Sequence, residues 1–132
     1  MTTEQKRQLI LNAAEDAKAE RISDLDLRGK TLIADYFIVC SGTSDVHIRS
    51  VADKIQDALR VAGERALRVE GYREATWVLL DYGDIVVHVM REETRQHYGL
   101  EAFWQNAPLI ESLREYAGDE SRKRAGSEAR GD

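Results

Sequence analysis

Asp24-Leu25-Asp26 places two carboxylates at i and i+2, on one face of a strand. Oxygens so placed can hold a divalent cation. Ser41-Gly42-Thr43-Ser44 stands between an apolar run and a helical pattern, where the N–H groups of a helix start can take a phosphate. Together these residues sketch a metal-dependent nucleotidyltransferase. No P-loop lysine or GxGxxG accompanies them, and the same residues also serve as a polar sheet edge and a capped helix. His47, His88 and His97 fall at no HExxH spacing and meet no cysteine pair. No metal or cofactor site is therefore expected. His47 reads as a helix-surface residue. Cys40 ends an apolar run and reads as a buried small residue rather than a nucleophile. Glu70, Asp81 and Asp84 could form a carboxylate set. Like charges facing each other across a hairpin repel, so they call for a cation, a basic partner residue or open solvent.

The element that organises these positions is Trp77–Met90, WVLLDYGDIVVHVM, which reads as a β-hairpin. Gly83 tolerates positive φ, so Tyr82-Gly83 can form a two-residue primed turn. That turn pairs Asp81 with Asp84, Leu79 with Val86 and Trp77 with His88. Alternation then separates two faces. Val78, Leu80, Ile85, Val87 and Val89 form an aliphatic core face. The other face carries Trp77, Leu79, Asp81, Asp84, Val86, His88 and Met90. With Tyr82 at the turn, it reads either as a partner surface, with an aromatic anchor, a flexible methionine and an acidic rim, or as a second buried face under a helix.

The chain has 132 residues, 42% hydrophobic and 33% charged, with a formal net charge of -5. This profile fits one α/β domain with a modest core. A mildly acidic chain grips nucleic acid phosphates poorly, and it suits a basic protein surface better. One cysteine excludes an intramolecular disulfide and fits a reducing compartment. The start, MTTEQKRQLI, has no long apolar stretch, and no run is long enough to span a membrane, so a cytoplasmic protein is expected.

Along the chain, Glu4–Glu20 reads as a helix on the spacing of Leu9, Ile10, Ala13, Ala14 and Ala17. Ile22–Leu27 reads as a strand and Tyr36–Cys40 as a central strand. A helix follows on Ile48, Val51, Ala52, Ile55, Leu59 and Ala62, capped by Thr43 or Ser44 and ended at Gly63. Ala66–Glu70 is a third strand and the hairpin supplies two more. Glu92–Tyr98 and Leu100–Gln105 read as short helices broken at Gly99, with Tyr98, Leu100, Phe103 and Trp104 packed back on the sheet. Leu109, Ile110, Leu113 and Tyr116 could form one more helix. The order α-β-β-α-β-β-β-α implies a single domain around a mixed sheet of five strands. Residues 1–107 form that domain, and 108–132 are an extension, disordered from about residue 118.

Several segments together resemble the Iojap-related ribosomal silencing factor (RsfS) family. They are Asp35-Tyr36-Phe37-Ile38-Val39 with Ser41-Gly42-Thr43-Ser44, Glu70-Gly71, the hairpin from Trp77 to Val89, and Tyr98 with Leu100-Glu101 and Trp104. The resemblance runs from the first helix to Ala107. It implies a nucleotidyltransferase-like fold without catalysis. It also implies binding to the large ribosomal subunit through large-subunit ribosomal protein number fourteen, on the face that meets the small subunit. Joining is then blocked and translation repressed when nutrients are short. Free members are homodimers, contact with ribosomal RNA is at most peripheral, and a role in large-subunit maturation is attributed to organelle relatives. The partner-binding residues expected on this basis are Trp77, Leu79, Asp81, Tyr82, Asp84, Val86, His88 and Met90. The rival, an enzyme, would use Asp24, Asp26, Ser41 and Ser44 for nucleotide and magnesium.

Overall fold

Thr2 starts the first helix, α1 (Thr3–Asp16). Its hydroxyl accepts from the N–H of Gln5, whose side chain returns to the Thr2 N–H, a reciprocal cap. The helix stops four residues before the expected end. Lys18 takes φ 63, the Lys18 N–H donates to Glu15 and the Ala19 N–H to Ala14. This is the reversal that glycine usually makes, carried here by lysine. The strand β1 (Glu20–Asp26) follows, then β2 (Tyr36–Gly42), α2 (Asp45–Val61), β3 (Arg68–Glu70), β4 (Trp77–Asp81), β5 (Ile85–Arg91) and α3 (Glu92–Tyr98). The computed structural model describes residues 1–99. The expected second short helix, the further helix near Leu109, the domain boundary at 107 and the tail lie outside them.

Among the described residues, five strands form one mixed sheet in the order β1-β2-β5-β4-β3, in which β2 and β5 run parallel and the other neighbours antiparallel. The α/β class, the single domain and the element order read from the sequence hold. β2 is buried along its whole length, as its unbroken apolar run requires. Ser44 is the cap of α2, accepting from the His47 N–H. The helix closes with Gly63 at φ 91, donating to Arg60 while Glu64 donates to Leu59.

Both long helices lie on one side of the sheet. Ile10, Ala13 and Ala14 of α1 and Ile48, Val51 and Ile55 of α2 pack there on Ile38, Cys40, Val78, Leu80, Val87 and Val89. The other side is a second apolar cluster of Phe37, Val39, Trp77, Leu79, Val86 and Met90. Leu27 and Ala34 belong to it, and Leu25, Ile33 and Tyr98 pack at its margin.

The hairpin register differs from the expected one. The turn is centred on Gly83-Asp84: the Tyr82 N–H donates to Ile85, Gly83 has φ 90, and the Gly83 N–H donates to the Asp81 carboxylate at 2.8 Å. Trp77 therefore pairs with Met90, Leu79 with His88 and Asp81 with Val86. Moving a turn by one residue slides the register by two, so the faces survive while every partner changes. The shift also removes the Asp81–Asp84 pairing, and with it a like-charge contact across the strands.

Candidate functional site

The residues that sketched an enzyme are held apart. Asp24 pairs with Ile38 and Asp26 with Tyr36, so both carboxylates lie on the side of the helices. Each is taken by an arginine. Arg7 of α1 reaches Asp24 at 2.5 Å, and Arg28 meets Asp26 at 2.7 Å. Both guanidiniums also sit over the Tyr36 ring, at 4.9 and 5.3 Å. The bonds from Arg28 hold the Asp26 carboxyl down at about 2. Ser41 lies three to five residues further along β2, roughly 10–16 Å away, and on the opposite side of the sheet. Gly42 has a packing role. A Cβ there would stand 2.6 Å from Ile48 Cγ1, so its absence lets the first turn of α2 close on the strand end. Among the described residues no group of three or more His, Cys, Asp or Glu could hold a metal ion. Cys40 is fully buried, and burial pushes its thiol up to about 12, which removes the thiolate.

The expected partner residues divide into two groups. Trp77, Leu79, Val86, His88 and Met90 do share one side of the sheet, and all five are buried: Trp77 is 3% exposed and Met90 0%. The Trp77 Nε1 donates to His88 Nδ1 at 3.0 Å. An indole nitrogen only donates, so His88 is neutral with its proton on Nε2. Phe37 packs against the His88 ring with centroids 4.7 Å apart and planes tilted at 59°, and Tyr98 lies against Trp77 at 4.9 Å. In this conformation the face is core, the second of the two readings open to the sequence.

The other expected residues are used by the chain itself. Tyr82 lies on the opposite side, within the helix-covered core, where burial pushes its hydroxyl up to about 12. It faces Ile85 just beyond the end of β4 because the turn lies one residue later than expected. Asp84 turns to α1, where Thr3 Oγ1 donates to it at 2.5 Å and Lys6 Nζ at 2.9 Å. Burial works to raise the Asp84 carboxyl, and the bonds from Thr3 and Lys6 outweigh it, leaving it below the ordinary range. Asp81 is 4% exposed, receives the Gly83 N–H and has Arg68 Nε at 3.7 Å. The cations these carboxylates called for include two of the chain's own.

Two contacts had no signal in the sequence. His47 lies half-buried on the surface of α2, and both its ring nitrogens are used: Nδ1 accepts from the Thr43 N–H at 3.0 Å, so Nε2 carries the proton and donates to the Ala17 carbonyl at 2.9 Å. It ties the end of α1 to the start of α2. Arg95 of α3 is 1% exposed. Its Nη1 donates to the Arg21 carbonyl at 2.7 Å and to Ser41 Oγ at 2.9 Å, and its Nη2 donates to Ser23 Oγ at 3.0 Å. Ser41 Oγ in turn donates to Glu92 at 2.9 Å, which holds that carboxyl below its usual value, and Arg21 pairs with Glu92. A helix-borne arginine whose partners lie 54 to 74 residues away leaves no local pattern.

This geometry, a helix layer on one side and an aromatic-aliphatic face on the other, coincides with a family match. The model described as "Ribosomal silencing factor during starvation" matches residues 1–132. The chain belongs to the ribosomal silencing factor family. The match extends past Ala107, where the sequence resemblance had ended. A ribosomal silencing factor of Halalkalibacterium halodurans is 40% identical over 111 residues, covering 84% of this chain and 95% of that one. One of Bacillus subtilis is 43% identical over 99 residues, covering 75% and 84%. A crystal structure of a Chromobacterium violaceum protein superposes with a TM-score of 0.77 at 35% identity, covering 80% of this chain and 88% of that one. No helix among the described residues is long and apolar enough to cross a membrane.

Proposed function

We propose that this ribosomal silencing factor binds the large ribosomal subunit through large-subunit ribosomal protein number fourteen, blocks association with the small subunit, and so represses translation under nutrient limitation. The free protein is a cytoplasmic homodimer, and the role is regulatory rather than enzymatic. The contact is made on the Trp77 side of the sheet, with Trp77 as the residue the partner reaches, Leu79, Val86, His88 and Met90 buried beneath it, and Asp81 at its end. The observation that carries this reading is the family match over the whole chain, joined to a sheet whose two long helices both cover the other side. The net charge of -5 favours a basic protein surface over ribosomal RNA, whose phosphates would repel it.

Sedimentation with isolated ribosomal subunits tests the reading. The full chain should travel with large subunits and remain in the supernatant with small subunits. Equal recovery with both, or with neither, would defeat it.

A further inference from the structure

We propose that α3 is a releasable cap on the Trp77 side of the sheet, and that partner binding there requires Tyr98 to leave Trp77. The proposal rests on the reading above, in which that side meets the ribosome, and adds how access to it is controlled.

Helix α3 is poorly equipped to hold its own shape. It has seven residues, follows β5 without an intervening residue, and begins at Arg91 with no side-chain cap. Isolated helices of that length do not persist in water, so its position depends on what it touches. Those contacts fall on a single stripe at spacing three, Glu92, Arg95 and Tyr98. Tyr98 lies over Trp77 with ring centroids 4.9 Å apart and planes at 51°. Arg95 and Glu92 fix the other end of the stripe at Ser41.

The Arg95 contacts set the cost of release, which partner binding has to supply. The bonds it gives to Arg21, Ser41 and Ser23 end on one carbonyl and two hydroxyls, all neutral. Water can replace a guanidinium at such oxygens, and the guanidinium regains its own hydration, which offsets part of the cost; the attraction to the Glu92 carboxylate is lost as well. An apolar anchor of the same size would instead expose its whole area. Arg21 adds a further bias. It sits at the irregularity between Glu20 and Ser23 in β1 with φ 49, a conformation L residues adopt at a cost, and its carbonyl faces Arg95. Release leaves the sheet intact, because the Trp77–His88 bond and the β4–β5 pairing involve no atom of α3. The exposed surface would be the ring of Trp77, with its N–H still held by His88.

The test uses the full chain carrying Trp104→Phe, which leaves Trp77 as the sole tryptophan of the two. Tyr98→Ala and Arg95→Gln are made in that background and checked by circular dichroism. Acrylamide quenching of Trp77 reports the cap, and sedimentation with large subunits gives the affinity. Both variants should quench more strongly than their parent. Both should bind large subunits roughly two- to tenfold more tightly, since the aromatic contact no longer competes with the partner. Unchanged quenching in Tyr98→Ala would overturn the cap. Stronger quenching with equal or weaker binding would overturn the gating role and make Tyr98 part of the contact surface or place binding elsewhere. If the parent itself fails to sediment with large subunits, the ribosome reading fails, while the quenching result still decides whether α3 covers Trp77. Should Arg95→Gln unfold, the half-buried Tyr98→Ala decides alone.

Discussion

Asp84 joins the hairpin turn to α1, and Asp84→Asn isolates that joint. Asparagine keeps the shape and leaves the main-chain bonds intact, since it is the Asp84 carbonyl that accepts from Asp35 at 2.7 Å and Tyr36 at 3.1 Å. What is lost is charge. Lys6, with its side chain 10% exposed, faces an Asp84 side chain that is 25% exposed, and Thr3 donates to the second oxygen. A hydrogen bond to an ionised group contributes roughly 1.5–3 kcal/mol. Lys6 keeps Glu64 at 3.5 Å and the amide oxygen still accepts, so the net loss should be about 2 kcal/mol. For a domain of this size about 1 kcal/mol moves the Tm by roughly 4 °C, so the variant should melt about 8 °C lower at pH 7. The Asp84 carboxyl titrates in the folded protein below its ordinary value of 3.8. Its contribution is therefore fully present above that value and disappears as pH falls from 3.8 through the lower folded value. Thermal unfolding followed by circular dichroism from neutral to acid pH should show a constant gap between wild type and variant that closes only at the acid end. A gap under about 2 °C at pH 7, or one that does not narrow in acid, would refute the reasoning.

Gly42→Ala should destabilise the fold by about 1–3 kcal/mol in denaturant titration, because the new Cβ would meet Ile48 Cγ1 at 2.6 Å and its Cα and N at 3.3 Å. Cys40, fully buried with its thiol pushed up to about 12, should resist a disulfide reagent in the native protein and react once in denaturant; fast native labelling would contradict its placement. Asp24→Asn should lower the melting temperature modestly, since Arg7 loses one of its two carboxylates and keeps Glu4 at 2.7 Å, and neither it nor wild type should transfer nucleotidyl groups from labelled nucleoside triphosphates with magnesium. Magnesium-dependent transfer lost in Asp24→Asn would restore the enzyme reading.

Alternation made the two hairpin faces legible, because a strand's period of two assigns sides whatever the register. Register depends on one residue of turn placement, and Tyr82-Gly83 and Gly83-Asp84 both satisfy a glycine rule. The Asp81 side chain, bonded to the Gly83 N–H, decides between them. Helix α2 was legible nearly throughout, since its apolar stripe from Ile48 to Leu59 and its terminal glycine agree, with Ser44 the cap of the two candidates and Ala62 lying just past the end. The end of α1 was hidden because lysine does the work of glycine at position 18. Whether Trp77 faces a partner or a core could not be read from the hairpin alone. Its covering residue, Tyr98, is 21 positions away by number, and Arg95, which anchors the same helix, finds its partners on β1 and β2.

Subunit joining tests the central claim most directly. Purified large subunits are incubated with the full chain, small subunits are added, and the joined fraction is followed by light scattering. Joining should fall in proportion to the protein added and recover when free ribosomal protein number fourteen of the large subunit is supplied as competitor. Joining that proceeds at the control rate and extent with the protein in excess would contradict the account.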